Sequence, residues 1–187
     1  MIPSPLKNAA CLFLAKENHA KCGSDFLAAV DPKTLVDLAR AFLDAGFHLE
    51  DVSGLTAGEG AVSVYHFSHF DEPCRCTVLA VAPKGVFPSI ASVYQGAEWH
   101  ERETRDFFGF TYEGNPNFIP LLLPENMAEI HPLIKEAGSR APLAVLFSPE
   151  GRGREILAKA EGFTLLDEPV REAAKETATA PEGGDNA

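Results

Sequence analysis

The sequence predicts an α+β fold: a two-layer domain in which a mixed or antiparallel sheet carries helices on one face. One amphipathic helical pattern precedes three strand-like segments, and turn-rich stretches separate those strands. The chain has 187 residues, of which 45% are hydrophobic, so it can bury one ordinary core. We expect one domain over residues 1–136, a C-terminal extension over 137–167, and a disordered acidic tail over 168–187.

The first helix is predicted to begin at Asp31 and Pro32. Asp31 is a good N-cap, and Pro32 suits the first helical position because its missing N–H costs nothing there. Apolar residues then recur at helical spacing, and Gly46 suits the left-handed position just past the helix end. These apolar residues are Leu35, Leu38, Ala39, Phe42 and Leu43.

Three strands are predicted at residues 47–55, 61–70 and 75–82. Each segment is rich in apolar residues and is bounded by glycine, proline or acidic turn residues. The second and third are expected to pair as a hairpin, since only a short turn separates them. Residues 26–30, before the helix, are a further strand candidate.

A short helix is predicted at residues 89–94, followed by a break at Gly96. A helix that continued through Gly96 would place the Glu101 carboxylate on the apolar stripe, which is costly. We therefore expect a separate charged helix that ends at Gly109.

The segment 111–132 contains many glycines and prolines and little periodicity. Such a segment usually lies extended across a surface, either its own or that of a partner. Beyond it, the pattern predicts a weak strand at 143–147 and a helix at 153–161.

Charge and hydropathy exclude several classes of partner. Sixteen basic residues face twenty-seven acidic ones, for a net charge of -11, so nucleic acid and anionic lipid would be repelled. No run approaches the roughly 20 apolar residues that a membrane helix needs. We expect a cytoplasmic protein that reaches a membrane only through a partner.

Cysteine and histidine spacing gives little support for a metal site. The four cysteines, at positions 11, 22, 74 and 76, provide one C-x-C and no C-x-x-C, so reduced, mostly buried thiols are expected. His66 and His69 would point to opposite faces of a strand and are expected to be ordinary polar residues.

The stretch EWHERETRDFFGF, residues 98–110, allows four interpretations. His100 and Glu101 could begin an H-E-x-x-H zinc motif, but Thr104 occupies the second histidine position. Glu103 and Asp106 could form an acid/base pair at i, i+3, although no nucleophile or phosphate loop lies near them in the sequence.

The third interpretation is a solvated face, in which Glu98 pairs with Arg102 and Glu101 with Arg105 at i, i+4. This does not explain the aromatic residues Trp99, Phe107 and Phe108. The fourth interpretation accounts for them as well: a half-buried helix whose charges pair with each other while its aromatic residues contact a partner.

The run W-x-E-R-E-x-x-D-F-F-G-F-x-Y-x-G-N-P, residues 99–116, closely resembles the signature of the 30 kDa subunit family of respiratory complex I, the NADH-quinone oxidoreductase. The matches continue with L-L-L-P-E at 121–125 and H-P-L-x-K-E at 131–136. This family includes the equivalent small subunits of energy-converting group 4 nickel-iron hydrogenases. The matched positions are Trp99, Glu101, Arg102, Glu103, Asp106, Phe107, Phe108, Gly109, Gly114, Pro116, His131, Pro132 and Leu133.

The resemblance implies a structural subunit with no catalytic residue, metal or cofactor of its own. It would pack beside the hydrogenase-like large subunit and the iron-sulfur small subunit, in the peripheral arm of an ion-pumping complex at the cytoplasmic face of the membrane. Iron-sulfur clusters, and nickel-iron in a hydrogenase, would belong to those partners. The matched residues would have structural and interfacial roles.

Departures from the family pattern indicate a changed partner surface. Asn115 stands where histidine is usual, Ile119 and Pro120 replace a basic pair, and Ile134 replaces an arginine, so donors to the neighbouring subunit are expected to be lost. The aromatic and acidic tail of many complex I members is not recognisable after Glu136. The form P-L-L-L-P-E and the short chain resemble the hydrogenase branch and favour it. A quinone-reducing complex, a stand-alone enzyme using Glu103 and Asp106, and an independent acidic binding module are the alternatives.

Overall fold

The computed structural model describes residues 1–58 and 60–142. Short 3-10 turns lie at Pro32–Thr34, Glu125–Met127 and Ala137–Ser139. The helices are α1 (Ser4–Asn8), α2 (His19–Cys22), α3 (Leu35–Asp44) and α4 (Ala97–Phe108). The strands are β1 (Cys11–Lys16), β2 (Phe26–Val30), β3 (Phe47–Thr56), β4 (Ala61–His69), β5 (Cys74–Ala82), β6 (Val86–Pro88) and β7 (Thr111–Glu113).

The main sheet has five strands in the order β1-β2-β5-β4-β3. Strands β3, β4 and β5 form an antiparallel meander, and β2 pairs with β5 in parallel. The sheet is therefore mixed, and the predicted α+β class is confirmed. Strands β6 and β7 form a separate parallel pair.

Helix α3 packs on one face of this sheet through the predicted apolar stripe. The Asp31 carboxylate accepts the N–H of Lys33 and caps the 3-10 turn that leads into the helix. Phe42 is fully buried and stacks on Phe67 of β4, with ring centroids 4.3 Å apart. Gly46 follows with φ of 83°, as predicted, whereas Leu43 turns toward solvent.

The predicted strands are confirmed with boundary shifts of one residue, but two other features differ. Residues 89–94 form a turn and not a helix, because the N–H groups of Val93 and Tyr94 both bond to the Ile90 carbonyl and the next bond, from the Ala97 N–H to the Tyr94 carbonyl, closes a separate turn. Strand β1 was not predicted, since its short apolar run shows no alternation. The predictions at 143–147, 153–161 and 168–187 lie outside the described residues.

Helix α4 begins after Gly96 and ends at Gly109, as predicted. It packs beside β3 on the same face of the sheet as α3. A methyl group at Gly54 of β3 would lie 2.8 Å from Cγ2 of Thr104, so the absent side chain allows helix and strand to approach closely. No helix among residues 1–58 and 60–142 is long and apolar enough to cross a membrane.

Candidate functional site

The charged residues of α4 are divided between its two sides. Glu101 and Asp106 are fully buried and Arg102 is 6% exposed, whereas Glu103 faces solvent. Residues 114–134, called the covering segment below, run over the side of α4 that does not face the sheet. The buried charges bond to this segment and to the turn before the helix.

Glu101 joins α4 to the turn at residues 89–94. One carboxylate oxygen accepts the N–H of Ile90 at 2.8 Å, and the other accepts Ser89 Oγ at 2.6 Å and Asn115 Nδ2 at 2.7 Å. Burial raises the pKa of Glu101 above its ordinary value, although these three donors oppose the shift. The carboxyl group therefore connects three separate segments inside the protein.

Arg102 bonds to the covering segment at residues 119 and 120. Its Nε donates to the Ile119 carbonyl at 3.0 Å and its Nη2 to the Pro120 carbonyl at 3.1 Å. Nη1 pairs with Glu98 at 2.9 Å, which confirms the predicted i, i+4 pair. The planar guanidinium suits this role because it can donate to several acceptors at fixed angles.

Asp106 holds the next part of the covering segment. Its Oδ2 accepts three consecutive backbone N–H groups, from Leu121 and Leu122 at 2.8 Å and from Leu123 at 3.1 Å. Oδ1 accepts Arg105 at 3.1 Å. Burial alone would raise the pKa of Asp106, but these backbone and arginine donors outweigh it and hold the pKa below its ordinary value.

The end of α4 is fixed by His131 and Leu133. The Nδ1–H of His131 donates to the Asp106 carbonyl at 3.0 Å, and the Leu133 N–H donates to the Phe107 carbonyl at 3.0 Å. These bonds satisfy carbonyls that the helix end leaves free. Gly109 has φ of 68°, and a methyl group there would lie 2.9 Å from the His131 ring.

Large apolar side chains are exposed around this buried network. They are Trp99 on α4 at 62% and, on the covering segment, Ile119 at 56%, Leu122 at 57% and Leu133 at 52%. Isolated exposed apolar residues are ordinary, but these extend from backbone that is bonded to one helix. Phe107 and Phe108 are half-buried, and Gly114, Pro116 and Pro132 lie in exposed stretches.

The catalytic interpretations gain no support from this geometry. Thr104 Oγ1 bonds to the His100 carbonyl, and the His100 ring lies 3.3 Å from Asp51. Glu103 and Asp106 face different surroundings, one solvent and the other the protein interior. Within the described residues, no group of three or more histidine, cysteine or acidic side chains could hold a metal ion.

Two expectations need correction. Glu101 does not pair with Arg105, because Glu101 turns toward Ser89 and Asn115 while Arg105 bonds to Asp106. Asn115 bonds to Glu101 inside the protein, so this position is an internal partner of α4. Ser89 and the Ile90 N–H were missed because a pattern along one helix does not identify remote donors.

Other polar residues lie where the sequence predicted ordinary roles. His66 bonds to Thr77 on the neighbouring strand. His69 accepts two backbone N–H groups in the following turn. The expectation of mostly buried thiols is wrong: the four cysteines are free, but Cys76 is buried, Cys11 and Cys74 are half-buried and Cys22 is exposed. The sulfur atoms of Cys74 and Cys76 lie 3.9 Å apart, and burial raises the pKa of each of these two thiols.

Two curated relatives share sequence with this chain. The C subunit of the F(420)H(2) dehydrogenase of Methanosarcina mazei is 34% identical over 93 residues, which cover 48% of this chain and 59% of that protein. The J subunit of the NAD(P)H-quinone oxidoreductase of the organellar chromatophore of Paulinella chromatophora is 34% identical over 122 residues, covering 54% and 64%. The chain thus spans less than two thirds of the length of either relative.

A solved structure shares the fold. A chain of the membrane-bound sulfane sulfur reductase, an archaeal respiratory membrane complex, superposes with a TM-score of 0.54 at 24% identity, covering 57% of this chain and 68% of that one. The sequence model of the family described as respiratory-chain NADH dehydrogenase, 30 Kd subunit, matches residues 28–142, which include most of the sheet, α4 and the covering segment. This match, over more than half of the sequence, shows that the chain belongs to the 30 Kd subunit family of respiratory-chain NADH dehydrogenase.

Proposed function

We propose that this chain is a non-catalytic structural subunit in the peripheral arm of a membrane-bound, ion-translocating oxidoreductase of the complex I type. Its partners in this proposal are the hydrogenase-like large subunit and the iron-sulfur small subunit. The chain itself would hold no cofactor, and the metal centres would lie in those partners. It would reach the cytoplasmic face of the membrane only through the complex.

The observation that carries this proposal is the contrast between the buried charges of α4 and the exposed apolar residues of the covering segment. Inside, Glu101, Arg102 and Asp106 already have hydrogen-bond partners from this chain, so none is free for a substrate. Outside, the covering segment exposes Leu122 and Leu133, whose burial in an interface would be favourable. A buried polar network that orients an apolar surface suits assembly better than turnover.

The names of the two relatives bear on which parent complex would contain this chain. The curated relatives named above are an F(420)H(2) dehydrogenase subunit and an NAD(P)H-quinone oxidoreductase subunit, and neither name describes a hydrogenase. They support an oxidoreductase of the complex I type as the parent complex. The energy-converting group 4 nickel-iron hydrogenase remains the candidate favoured by the form P-L-L-L-P-E, whereas Asn115 has an internal partner, Glu101.

Affinity purification of the full chain from its native host tests assembly. The proposal predicts co-purification with a large hydrogenase-like and a small iron-sulfur subunit, identified by mass spectrometry, and iron in the purified complex. Nickel at about one atom per complex would identify the hydrogenase branch, and its absence the dehydrogenase branch. Recovery of the chain alone, with no metal-containing partner, would refute the proposal.

A pair of variants then tests which surface is used. Leu122→Asp with Leu133→Asp should release the chain from the complex, because two charges would be buried in the interface. Phe70→Asp is the control. Phe70 is 81% exposed and stacks on His48, at the end of β3 opposite to Gly54, the residue that contacts α4. Equal retention of both variants would exclude the covering segment as the contact surface.

The stand-alone enzyme makes a separate prediction. Under that alternative, Glu103→Gln abolishes turnover by the isolated chain without loosening assembly. The geometry favours the structural role, because Glu103 faces solvent and Asp106 is held by three backbone donors.

A further inference from the structure

Cys74 and Cys76 form a pair of thiols on β5. Residues two apart on a strand point to the same face of the sheet, and both of these side chains face the core that the helices cover. Their sulfur atoms are 3.9 Å apart, and both thiols are free. Strand β5 is hydrogen-bonded to β2 on one side and to β4 on the other. The spacing of the two sulfurs is therefore set by rigid backbone.

The sulfur atoms of this pair differ in their partners from those of the other cysteines. Cys11 and Cys22 donate to backbone carbonyls. In the part of the chain that the structure describes, the sulfurs of Cys74 and Cys76 have hydrogen bonds only with each other. One such bond uses one S–H donor, so within the described residues the second thiol proton has no acceptor. An ion that displaced these protons would break few existing interactions.

A cleft of about 440 Å³ leads from solvent to Cys74. Its lining also includes His19, His69 and Pro73. Cys74 is half-buried at the cleft, whereas Cys76 is fully buried behind it. An ion that enters the cleft reaches the Cys74 sulfur first and the Cys76 sulfur next.

The distance between the sulfurs suits a metal ion with three ligands. Two metal–sulfur bonds of about 2.3 Å that span 3.9 Å enclose an angle of about 116°. That angle is close to the value of about 120° in a trigonal site. Linear coordination would instead need the sulfurs to be about 4.6 Å apart. The pair is therefore arranged for a trigonal ion whose third position faces the cleft.

Cu(I) is the ion that fits these ligands. Soft thiolates select Cu(I), which accepts three ligands. Zn(II) takes four ligands in structural sites. Among residues 1–58 and 60–142, no group of three or more histidine, cysteine or acidic side chains could supply such a set. A site with two protein ligands therefore favours Cu(I) over Zn(II).

Binding exchanges two thiol protons for one cation. One Cu(I) ion and two thiols give a complex with one negative charge and two released protons, and no electron is transferred. The amino group of Met1 acts to lower the pKa of Cys74, so it can offset part of this charge, whereas Asp25 and Glu72 oppose it. Burial raises the pKa of both thiols, so the ion has to compete with protons. This competition selects an ion that bonds strongly to sulfur.

We propose that Cys74 and Cys76 bind one Cu(I) ion, with a third position open to the cleft for a ligand from solution, such as a small thiol. The site lies at the β4–β5 turn, whereas Gly54, which contacts α4, lies toward the opposite end of β3. The ion is separate from the metal centres proposed for the partner subunits. The site therefore does not depend on which complex contains the chain.

Competition titration of the reduced full chain without oxygen tests the site. Cu(I) is supplied as its coloured complex with bicinchoninate, whose absorbance falls when the protein removes the ion. We expect one Cu(I) per chain. Cys74→Ser and Cys76→Ala should each lower the apparent affinity by about 100-fold or more, since the loss of a second-shell partner alone costs about 10–100-fold. Cys22→Ser removes an exposed thiol, keeps the pair and should bind Cu(I) as the natural protein does.

Three results would overturn the proposal: no transfer of Cu(I) from the chelator, equal affinity of Cys74→Ser and the natural protein, or equal competition by Zn(II). The second of these would indicate an adventitious ion only. Because Cys76 is buried, its variant is compared only if its melting temperature is unchanged, and the half-buried Cys74 otherwise provides the test.

X-ray absorption at the copper edge gives a second readout. We expect sulfur ligands at about 2.3 Å in the natural protein, and one sulfur fewer in Cys74→Ser. A spectrum with nitrogen or oxygen ligands alone would also overturn the proposal.

Discussion

Asp106 offers the most direct test of how α4 and the covering segment are joined. The change to alanine removes the acceptor of three backbone N–H groups and the partner of Arg105. Each unsatisfied buried donor costs about 1–3 kcal/mol. Leu121 and Leu123 are half-buried and Leu122 is exposed, so water can replace part of the loss. We expect Asp106→Ala to lower the free energy of unfolding by about 3–5 kcal/mol.

The change to asparagine separates charge from shape. Asn keeps one oxygen to accept the three N–H groups, but it presents an NH₂ to Arg105 and carries no charge. Hydrogen bonds to charged groups contribute about 1.5–3 kcal/mol, so Asp106→Asn should cost about 2–3 kcal/mol. Denaturant unfolding at neutral pH measures both values. Glu103→Gln, a charge loss on the exposed side of the same helix, should stay within about 0.5 kcal/mol.

The pH dependence gives an independent check. Because the pKa of Asp106 is lowered in the folded state, its contribution to stability is present above the ordinary aspartate pKa of about 3.9. That contribution is lost as pH falls through the lower folded-state pKa. Asp106→Asn should therefore flatten the loss of stability below pH ~4. Our interpretation of Asp106 is wrong if Asp106→Ala unfolds like the natural protein, or if both substitutions leave the acid limb unchanged.

Three further substitutions test neighbouring contacts. Because the pKa of Glu101 is raised in the folded state, the free energy of unfolding falls as pH rises above the ordinary glutamate pKa of about 4.3. Glu101→Gln should remove this fall, measured as the denaturation midpoint between pH 4 and 8. Arg102→Ala removes the side-chain donor to two carbonyls and leaves Glu98 with Asn117 as its partner, so it should cost about 3 kcal/mol by urea unfolding. Glu98→Gln keeps the carbonyl contacts and should cost under about 1 kcal/mol. Gly54→Ala should cost about 1–3 kcal/mol by overpacking against α4, while Gly96→Ala, with open space around it, should leave the melting temperature unchanged.

The sequence predicted those parts of the fold that depend on local physics. Gly46 and Gly109 lie just past helix ends through backbone geometry alone, where they were expected. Pro32 was expected at the first position of the helix, but it begins a 3-10 turn, and α3 starts at Leu35. Strand boundaries followed the turn residues. Strand β1 was missed because it is an edge strand whose residues are nearly all half-buried, so its sequence does not alternate.

The candidate site was only partly predictable, because some partners of its charged residues lie outside the helix. Periodicity identifies neighbours on one helix, and it found the pair of Glu98 and Arg102. It paired Glu101 with Arg105 incorrectly, because the partners of Glu101 are Ser89 and Asn115, which precede and follow the helix in the sequence. The break at Gly96 was expected to spare Glu101 from burial, yet Glu101 is buried, and its three donors offset only part of the cost of desolvating its carboxyl group.

The covering segment is bonded to the end of α4 at two places, which flank residues 124–130. Backbone at 121–123 is bound to the Asp106 carboxylate, and His131 and Leu133 are bound to the last carbonyls of the helix. Residues 124–130 form a closed loop between these attachments. Doubling the length of such a loop costs only about 0.6 kcal/mol of closure entropy. Because Ala128 is buried, the outer outline of the subunit can be lengthened, shortened or changed in sequence at 124–127 and 129–130 while the helix, the sheet and the charged network stay as they are.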